Sequence, residues 1–383
     1  MLNRVLPDYQ EVRNAYYSFA MQHYEETDMV AADKNGYFDK DLWHKAAEVC
    51  LHGLPVAREY GGKAYSAMQT CAAFEGFAKG CRNNGLAFSI AAHAAASTIP
   101  LYRHGSETQK NELLPGLAQG KVICANAITE PNAGSDVYKM ETVAMKEHEG
   151  YKINGHKCYI TNAPVADHIL LYCMTDKAKG FFGGVSAFLL PAATPGISTG
   201  DIKDKMGLKT VHMSEVWLKD VSATANDMLG KEGAGAMIFN ESMVWEKAIM
   251  CAMNLGQLER VYEKTLSYCK KRMLNGKALI SLTNIAHSLA DVKVVINAAR
   301  GLVYDAACAI DEHSKDALQK ASVAKCFVTE NAVKCIQKMQ TMYGGAGYLA
   351  ENEIEREYRD IYASLLYSGT ADIQRNIIIG HSN

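Results

Sequence analysis

The last proline of this 383-residue chain is Pro195, so 188 residues (383 minus 195) follow without one. Proline breaks a helix interior because it lacks an N–H and clashes with the preceding turn. A proline-free half is therefore open to long helices. From about Gly230 apolar residues recur at helical spacing over Gly233–Cys269, Thr283–Asp311, Asp316–Met342 and Arg356–Leu366. Between Pro195 and Gly230 the texture differs, because Glu215–Val221 reads as a strand. Apart from Pro7, the prolines lie from Pro55 to Pro195, where turns are needed.

Residues 1–122 read as helical. Asp41–Leu51 carries Leu42, Ala46 and Val49 near helical spacing, with Gly53 and Pro55 as a stop signal. Ser106 and Gln109 fit a capping box before another helix. Leu86–Leu101 is apolar but too short and too polar to cross a bilayer, so it reads as a buried helix. Around Cys124 the pattern turns to strands. Asn154-Gly155 between two strand-like runs predicts a hairpin turn, and His168–Met174 and Val185–Leu190 have strand length. The expected fold is mainly α with a middle β domain. It has an N-terminal helical domain (1–122), a small β-barrel domain (123–229) and a C-terminal four-helix bundle (230–383).

Forty basic residues against 42 acidic ones give a net charge of −2, which argues against a nucleic-acid partner. The 11 cysteines show no C-x-x-C pair, so neither a disulfide framework nor a metal site is expected. Met1–Glu11 has no leader pattern. A cytoplasmic protein in a reducing compartment, without a membrane partner, is the expectation.

Three segments carry chemistry. Ala125–Asp136 is turn-rich, with Thr129 and Ser135 hydroxyls and Gly134 allowing close backbone approach to a ligand. Gln340–Tyr348 holds Gly344 and Gly345 between helical runs. Leu366–Arg375 breaks at Ser368-Gly369-Thr370 before a fresh helix start, and a helix N-terminus offers unpaired N–H groups. In this order, Thr-Glu-Pro-x-Ala-Gly-Ser-Asp (129–136), Asn-Gly-x-Lys-x-x-Ile-Thr-Asn (154–162) and Tyr-Gly-Gly-x-Gly-Tyr…Arg-Asp…Gly-Thr-x-x-Ile-Gln (343–374) resemble the acyl-CoA dehydrogenase family of flavoproteins. The resemblance covers nearly the whole chain and implies the same three-part fold, usually as a homotetramer.

The resemblance implies FAD as cofactor, between the β domain and the bundle. Ile128, Thr129 and Ser135 would touch the isoalloxazine edge or the adjoining thioester channel, and Ser135 would also contact substrate. Tyr159 stands where the family usually has an aromatic against the flavin, and Thr161 follows it. Thr370 and Asp372 would reach the pyrophosphate region, although Glu or Gln is usual at 372. Arg272 matches the arginine that reaches the pyrophosphate across the subunit boundary. Two departures fall there: Asn275 replaces an aromatic, and Thr341 stands where Gln usually precedes Gly344 and Gly345.

Family chemistry removes an α-proton with a Glu while the β-hydride moves to flavin N5. The common base position is Ser368 here, which cannot act as a carboxylate. The alternative position, on the first bundle helix, matches Glu246. Met243, Trp245, Ile249 and Met250 surround it, and apolar surroundings raise a carboxylate's pKa toward the working pH. Ser368 keeps a backbone role, since its N–H would polarise the thioester carbonyl. Met243, Lys247 and Tyr367 are the remaining substrate candidates.

His93, in an apolar run, reads as a satisfied core histidine. The methionines at 237, 243, 250 and 253 read as bundle core, with an acyl pocket as the alternative. Lys270, Lys271, Arg272 and Lys277 read as a solvated face or a phosphate contact. The resemblance implies as substrate an acyl-CoA or an acyl or aminoacyl group on a phosphopantetheine carrier protein, as in prolyl-carrier-protein dehydrogenases. Asn84–His93 and the Tyr-Ser-Gly-Thr form at 367–370 resemble that second branch. Electron-transfer flavoprotein or O2 would be the acceptor. A non-catalytic flavin-binding scaffold is the alternative of another class.

Overall fold

The chain opens with helix α1 (Leu2–Tyr24) in the computed structural model, which describes residues 2–24 and 28–380, with side chains from Tyr9 onward. Met1, where the search for a leader begins, lies outside the described residues. Short helices α2 (Met29–Asn35) and α3 (Lys40–Ala47) follow, each started by an Asp side chain that accepts a backbone N–H. Helix α4 (Ala67–Gly80) packs against α1 and is buried on nearly every face. Helix α5 (Asn84–His93), a π-helical turn (Ala94–Thr98) and α6 (Ile99–His104) form the buried apolar rod expected over 86–101. Helix α7 (Glu107–Ala118) starts on the expected capping box, in which Ser106 and Gln109 each bond the other's backbone.

The β region holds β1 (Cys124–Ala127), β2 (Val143–Glu147), β3 (Gly150–Thr161), β4 (His168–Met174), a short helical turn α8 (Phe181–Gly184), β5 (Val185–Pro191), β6 (Ile197–Thr199), β7 (Met213–Ala223) and β8 (Met228–Leu229). The strand order is β6-β7-β3-β2-β4-β5-β8, with β1 running parallel to β4. Side chains alternate across a strand, and both faces are covered. Leu170, Tyr172, Ala187 and Leu189 face α6, α7 and the start of the bundle, whereas Ile169, Leu171, Phe188 and Leu190 pack with Ile153 and Val216.

One turn lies elsewhere than expected. Asn154 and Gly155 sit inside β3, at a bulge between Ile153 and Gly155, and the hairpin turns instead at His148-Glu149. Gly155 is needed for space, because a Cβ there would collide with the Thr142 side chain. The Asn side chain and the Asp220 backbone N–H form a hydrogen bond at 2.9 Å, across the bulge. The Asn-Gly pair that does turn a hairpin is Asn275-Gly276, with φ of 49° and 76°, between β9 (Met273–Leu274) and β10 (Lys277–Ala278).

The bundle comprises α9 (Gly235–Lys271), α10 (Thr283–Asp311), α11 (Ala317–Thr341) and α13 (Ala371–Gly380), with α12 (Glu353–Tyr362) leading into the turn before α13. Residues Ala248–Leu258 of α9 are buried all round, between α4 and α5 on one side and α10 and α11 on the other. Met250 and Met253 belong to this core, but Met237 is exposed, so the methionine stripe is not continuous core. His93 is a satisfied core residue: Nδ1 accepts the Cys124 N–H at 3.1 Å, and Nε2 lies 3.2 Å from the Leu117 carbonyl. Among the described residues no helix is long and apolar enough to cross a membrane.

Candidate active site

Glu246 stands on α9 where the helix passes from the surface into the core, and it is half-buried. Ser368, 122 residues later, donates its hydroxyl to Glu246 Oε1 at 2.5 Å. The backbone of Ser368 is left-handed, with φ 55°. Gln374 in the first turn of α13 fixes that break by donating Nε2 to the carbonyls of Ser368 and Gly369, at 3.0 and 2.9 Å. The Ser368 N–H has no acceptor among the described residues, so it is free to meet a carbonyl oxygen.

Two buried lysines flank the carboxylate. Lys247 donates to Ser322 Oγ at 3.1 Å, and Lys325 donates to the Ser364 carbonyl at 2.6 Å. The Lys325 ammonium also lies 5.3 Å from the centre of the Tyr367 ring. Tyr367 donates its hydroxyl to Asn254 Oδ1 at 2.9 Å and packs on Phe88, with ring centres 4.8 Å apart. Lys247 lies close enough to Glu246 to lower its proton affinity, and Met243 and Tyr367 are half-buried.

Burial raises the proton affinity of Glu246, and the Ser368 hydroxyl, Lys247 and Lys325 pull it back. Burial brings Lys247 down to about 8 and lowers Lys325 as well. The hydroxyl and the two lysines offset part of the effect of burial on the carboxylate. Its proton affinity is nonetheless higher than in water, which suits a general base.

The second group of predicted residues lies on the β region. Ile128 is buried, Thr129 half-buried and Ser135 exposed. The Cys158 N–H donates to the Thr129 carbonyl at 2.9 Å, joining this loop to β3. There β3 is irregular, and Tyr159, at φ 57°, turns its ring outward and is 67% exposed. This exposed ring, two residues before Thr161 and next to Cys158, whose N–H bonds the Thr129 carbonyl, offers a flat surface to a planar ring system such as FAD. Under it, Lys157 bonds Glu130 Oε1 at 2.8 Å and the Ile128 carbonyl at 3.1 Å. Glu130 in turn accepts the N–H groups of Glu141 and Thr142, at 2.6 and 3.0 Å.

Thr370 and Asp372 lie at the start of α13, near Ser368. Arg272, Asn275, Thr341, Gly344 and Gly345 are all exposed, at the far end of α9. Arg272 is 26 residues from Glu246, about 39 Å along the helix at 1.5 Å per residue. One chain therefore does not bring this set to Glu246. Among the described residues no cluster of His, Cys, Asp and Glu could hold a metal ion.

Residues that sequence reasoning passed over are Lys325, Asn254, Tyr172 and the Glu130–Lys157 pair. Glu130 and Lys157 lie within the quoted motifs, so their positions were marked. Lys325 and Tyr172 carry no local signal, since only the fold brings them to Glu246, and Asn254, two turns further along α9, gains its role from Tyr367.

The whole chain matches models of three domains: Acyl-CoA dehydrogenase, N-terminal domain (residues 7–121), middle domain (125–221) and C-terminal domain (233–382). It is 39% identical over 339 residues to an L-prolyl-(peptidyl-carrier protein) dehydrogenase of Serratia sp. (strain ATCC 39006), covering 88% of this chain and 87% of that protein. A solved structure described as PigA with FAD and proline superposes with a TM-score of 0.95 at 35% identity, covering 98% and 97% of the two chains. Butyryl-CoA dehydrogenase from Megasphaera elsdenii superposes with a TM-score of 0.92 at 32% identity, covering 97% and 98%.

Proposed function

Because the chain belongs to the acyl-CoA dehydrogenase family, as an FAD-dependent oxidoreductase of acyl thioesters, we propose that Glu246 is its catalytic base. The observation that carries this is the Ser368–Glu246 hydrogen bond. The residue at the family's common base position is a hydroxyl, and it is spent orienting a carboxylate that arrives from α9.

The α-proton of a thioester is too weakly acidic for a free carboxylate. The Ser368 N–H, which has no acceptor of its own among the described residues, polarises the thioester carbonyl. Glu246 then removes the α-proton at the carboxylate oxygen. When bound, FAD supplies the two-electron acceptor for the β-hydrogen. Ile128, Thr129, Ser135, Tyr159 and Thr161 would hold its ring end, and Thr370 and Asp372 the adjoining stretch. Arg272, Asn275, Thr341, Gly344 and Gly345 would come from a neighbouring copy, which supports a homo-oligomer, with a tetramer as the reading. Ser135, Met243 and Tyr367 would line the substrate path, with Lys247 tuning the base.

The acyl group in this reading is an aminoacyl group, prolyl in the first instance, carried on a protein-bound phosphopantetheine. The Serratia relative and the PigA structure named above support it, and so do buried polar groups near Tyr367 and Glu246. Asn254 Nδ2 is buried without a partner among the described residues, and the Tyr172 hydroxyl is buried beside Ser242 and Asn126. A buried unpaired donor costs stability unless a ligand meets it. The Asn254 N–H needs an acceptor, which an aminoacyl nitrogen offers only as the free amine, whereas the Tyr172 oxygen can accept from its N–H; an alkyl chain does neither.

The test begins with purified protein, which should be yellow. Anaerobic prolyl-carrier protein should bleach the flavin faster than butyryl-CoA does. Glu246→Gln is expected to keep the flavin and to slow bleaching by about 10³-fold. Full bleaching by that variant would remove Glu246 from the base role. Reoxidation in air against reoxidation by electron-transfer flavoprotein then separates the two acceptors.

A further inference from the structure

Helix α9 begins at Gly235, and Glu246 lies 11 residues further on, about 16 Å along the axis. Phe239, Met243 and Glu246 stand at i, i+4 and i+7 on one face, and each is half-buried, whereas Ile238 and Ser242 are buried. A partly open strip thus leads from the helix N-terminus to the base. The loop that carries α8 lies against the start of this strip, where the Gly183 backbone abuts Gly233.

That loop presents an aromatic cluster to the surface. Tyr138 lies 5.1 Å from Phe181 and 5.9 Å from Phe182 between ring centres, and Tyr138 and Phe182 are 59% and 62% exposed. Exposed aromatics gathered in one place mark an interaction surface more often than single exposed residues do. The rim is basic. Lys139 and Lys179 pair with Asp136 and Asp176, at 3.0 and 3.1 Å, while Lys177 and Lys231 have no acidic partner among the described residues. Counting also the Lys146–Glu232 pair at 3.1 Å, whose carboxylate lies near Lys179, five lysines stand against three carboxylates, a local excess of positive charge on a chain whose net charge is −2.

We propose that the Tyr138–Phe181–Phe182 patch, with Lys177 and Lys231, is the docking surface for a carrier protein whose phosphopantetheine-bearing face is acidic. This rests on the carrier-bound substrate read above. A phosphopantetheine arm is comparable to a five-residue extended chain, about 17 Å long. Anchored at the patch, it spans the strip along Phe239 and Met243 and delivers the thioester beside Glu246. The aromatic rings cover the arm's exit, and the lysines meet its phosphate and the acidic surface around it.

The experiment presents one acyl group on three carriers: carrier protein, CoA and free pantetheine. It compares the holoenzyme with Lys177→Glu/Lys231→Glu and, separately, with Phe182→Ala. Flavin absorbance and Tm serve as the check that each variant is folded. The double charge reversal is expected to raise KM for the carrier-bound substrate about tenfold. Its kcat, and turnover of the pantetheine thioester, should stay as in the wild type, and added salt should narrow the gap. An unchanged KM for the carrier-bound substrate overturns the docking surface. So does an equal loss on all three carriers, or a loss on CoA but not on the carrier protein, which would mark a nucleotide site. If the wild type takes the CoA thioester and ignores the carrier-bound one, the substrate reading itself fails.

Discussion

Ser368→Gly separates two roles that one residue holds. The substitution removes the hydroxyl that donates to Glu246 and keeps the backbone N–H. It also adds no strain, because Ser368 sits at φ 55°, which glycine adopts freely and alanine does not. A hydrogen bond to a charged acceptor contributes roughly 1.5–3 kcal/mol. Glu246 is half-buried, so water replaces part of the loss, and the lower end of that range applies. About 1.4 kcal/mol corresponds to one pKa unit. The sign follows from the charge state. The hydroxyl stabilises the ionised carboxylate, so without it burial raises the Glu246 pKa further and the base holds its proton to higher pH. The acid limb of the kcat/KM profile is therefore expected to move up by about one unit, with near wild-type rates above it. The assay is steady-state oxidation of the thioester across pH with a fixed artificial acceptor. An acid limb that stays in place or moves down would refute the hydrogen bond as the device that sets the base. A uniform loss at every pH would show that Ser368 acts on something other than the proton.

Moving the carboxylate tests the same geometry from the other side. In Glu246→Gln/Ser368→Glu, bleaching is expected to recover about 10-fold or more over Glu246→Gln alone, because residue 368 already reaches the site of the lost carboxylate. The left-handed backbone strains a Glu there, so recovery stays below the wild-type rate. Stopped-flow bleaching reads it, and no recovery would mean that residue 368 faces away from the α-carbon. Glu357→Gln probes the frame beneath the site. Glu357 accepts from Arg260, Asn84 and Gln257, at 3.0, 2.9 and 2.9 Å. Its loss leaves buried cations uncompensated, a cost of about 3–5 kcal/mol, seen as a lower urea midpoint; an unchanged midpoint would contradict it. Burial alone would raise the Glu357 pKa, but Arg260 and Arg356 hold it at about 2. The wild type therefore keeps this stabilisation above the unfolded carboxylate range and loses it as pH falls through about 2. The acid-unfolding curve of the variant should be flatter over that interval.

Long periodic segments were the most legible part of the chain. Thr283–Asp311 coincides with α10 because 29 residues average over many turns, so no single side chain decides the outcome. Short signals fared less evenly. Asn-Gly occurs twice, and the pair identifies a residue tolerant of positive φ and an unhindered glycine without saying which need it serves. At 275–276 that need is a tight turn. At 154–155 it is a bulge where β3 passes close to Thr142, a neighbour reached only through the sheet. The methionine stripe misled at Met237 because that side chain faces solvent, while Ala236 and Ile238 on either side of it are buried against the β region.

Glu246 could be singled out because the family resemblance offers its position as the alternative base, the common position holds Ser368, and its apolar neighbours lie on its own helix, within four residues. What surrounds its carboxylate could not, because it comes from elsewhere in the chain. Lys325 arrives from α11, Ser368 from the break before α13, and Tyr172 from β4. The chemistry at such a site depends on the difference between burial, which raises the carboxylate's proton affinity, and these remote partners, which lower it. A serine at 368 would look like a lost base from its position alone. Its left-handed backbone, fixed by Gln374, aims the hydroxyl at α9 and leaves the N–H free, so in the proposed mechanism one residue orients the base while still offering the carbonyl its donor. A sequence that moves the base to α9 therefore requires at 368 a side chain short enough to leave room, able to donate, and able to adopt positive φ at modest cost, and Ser meets all three.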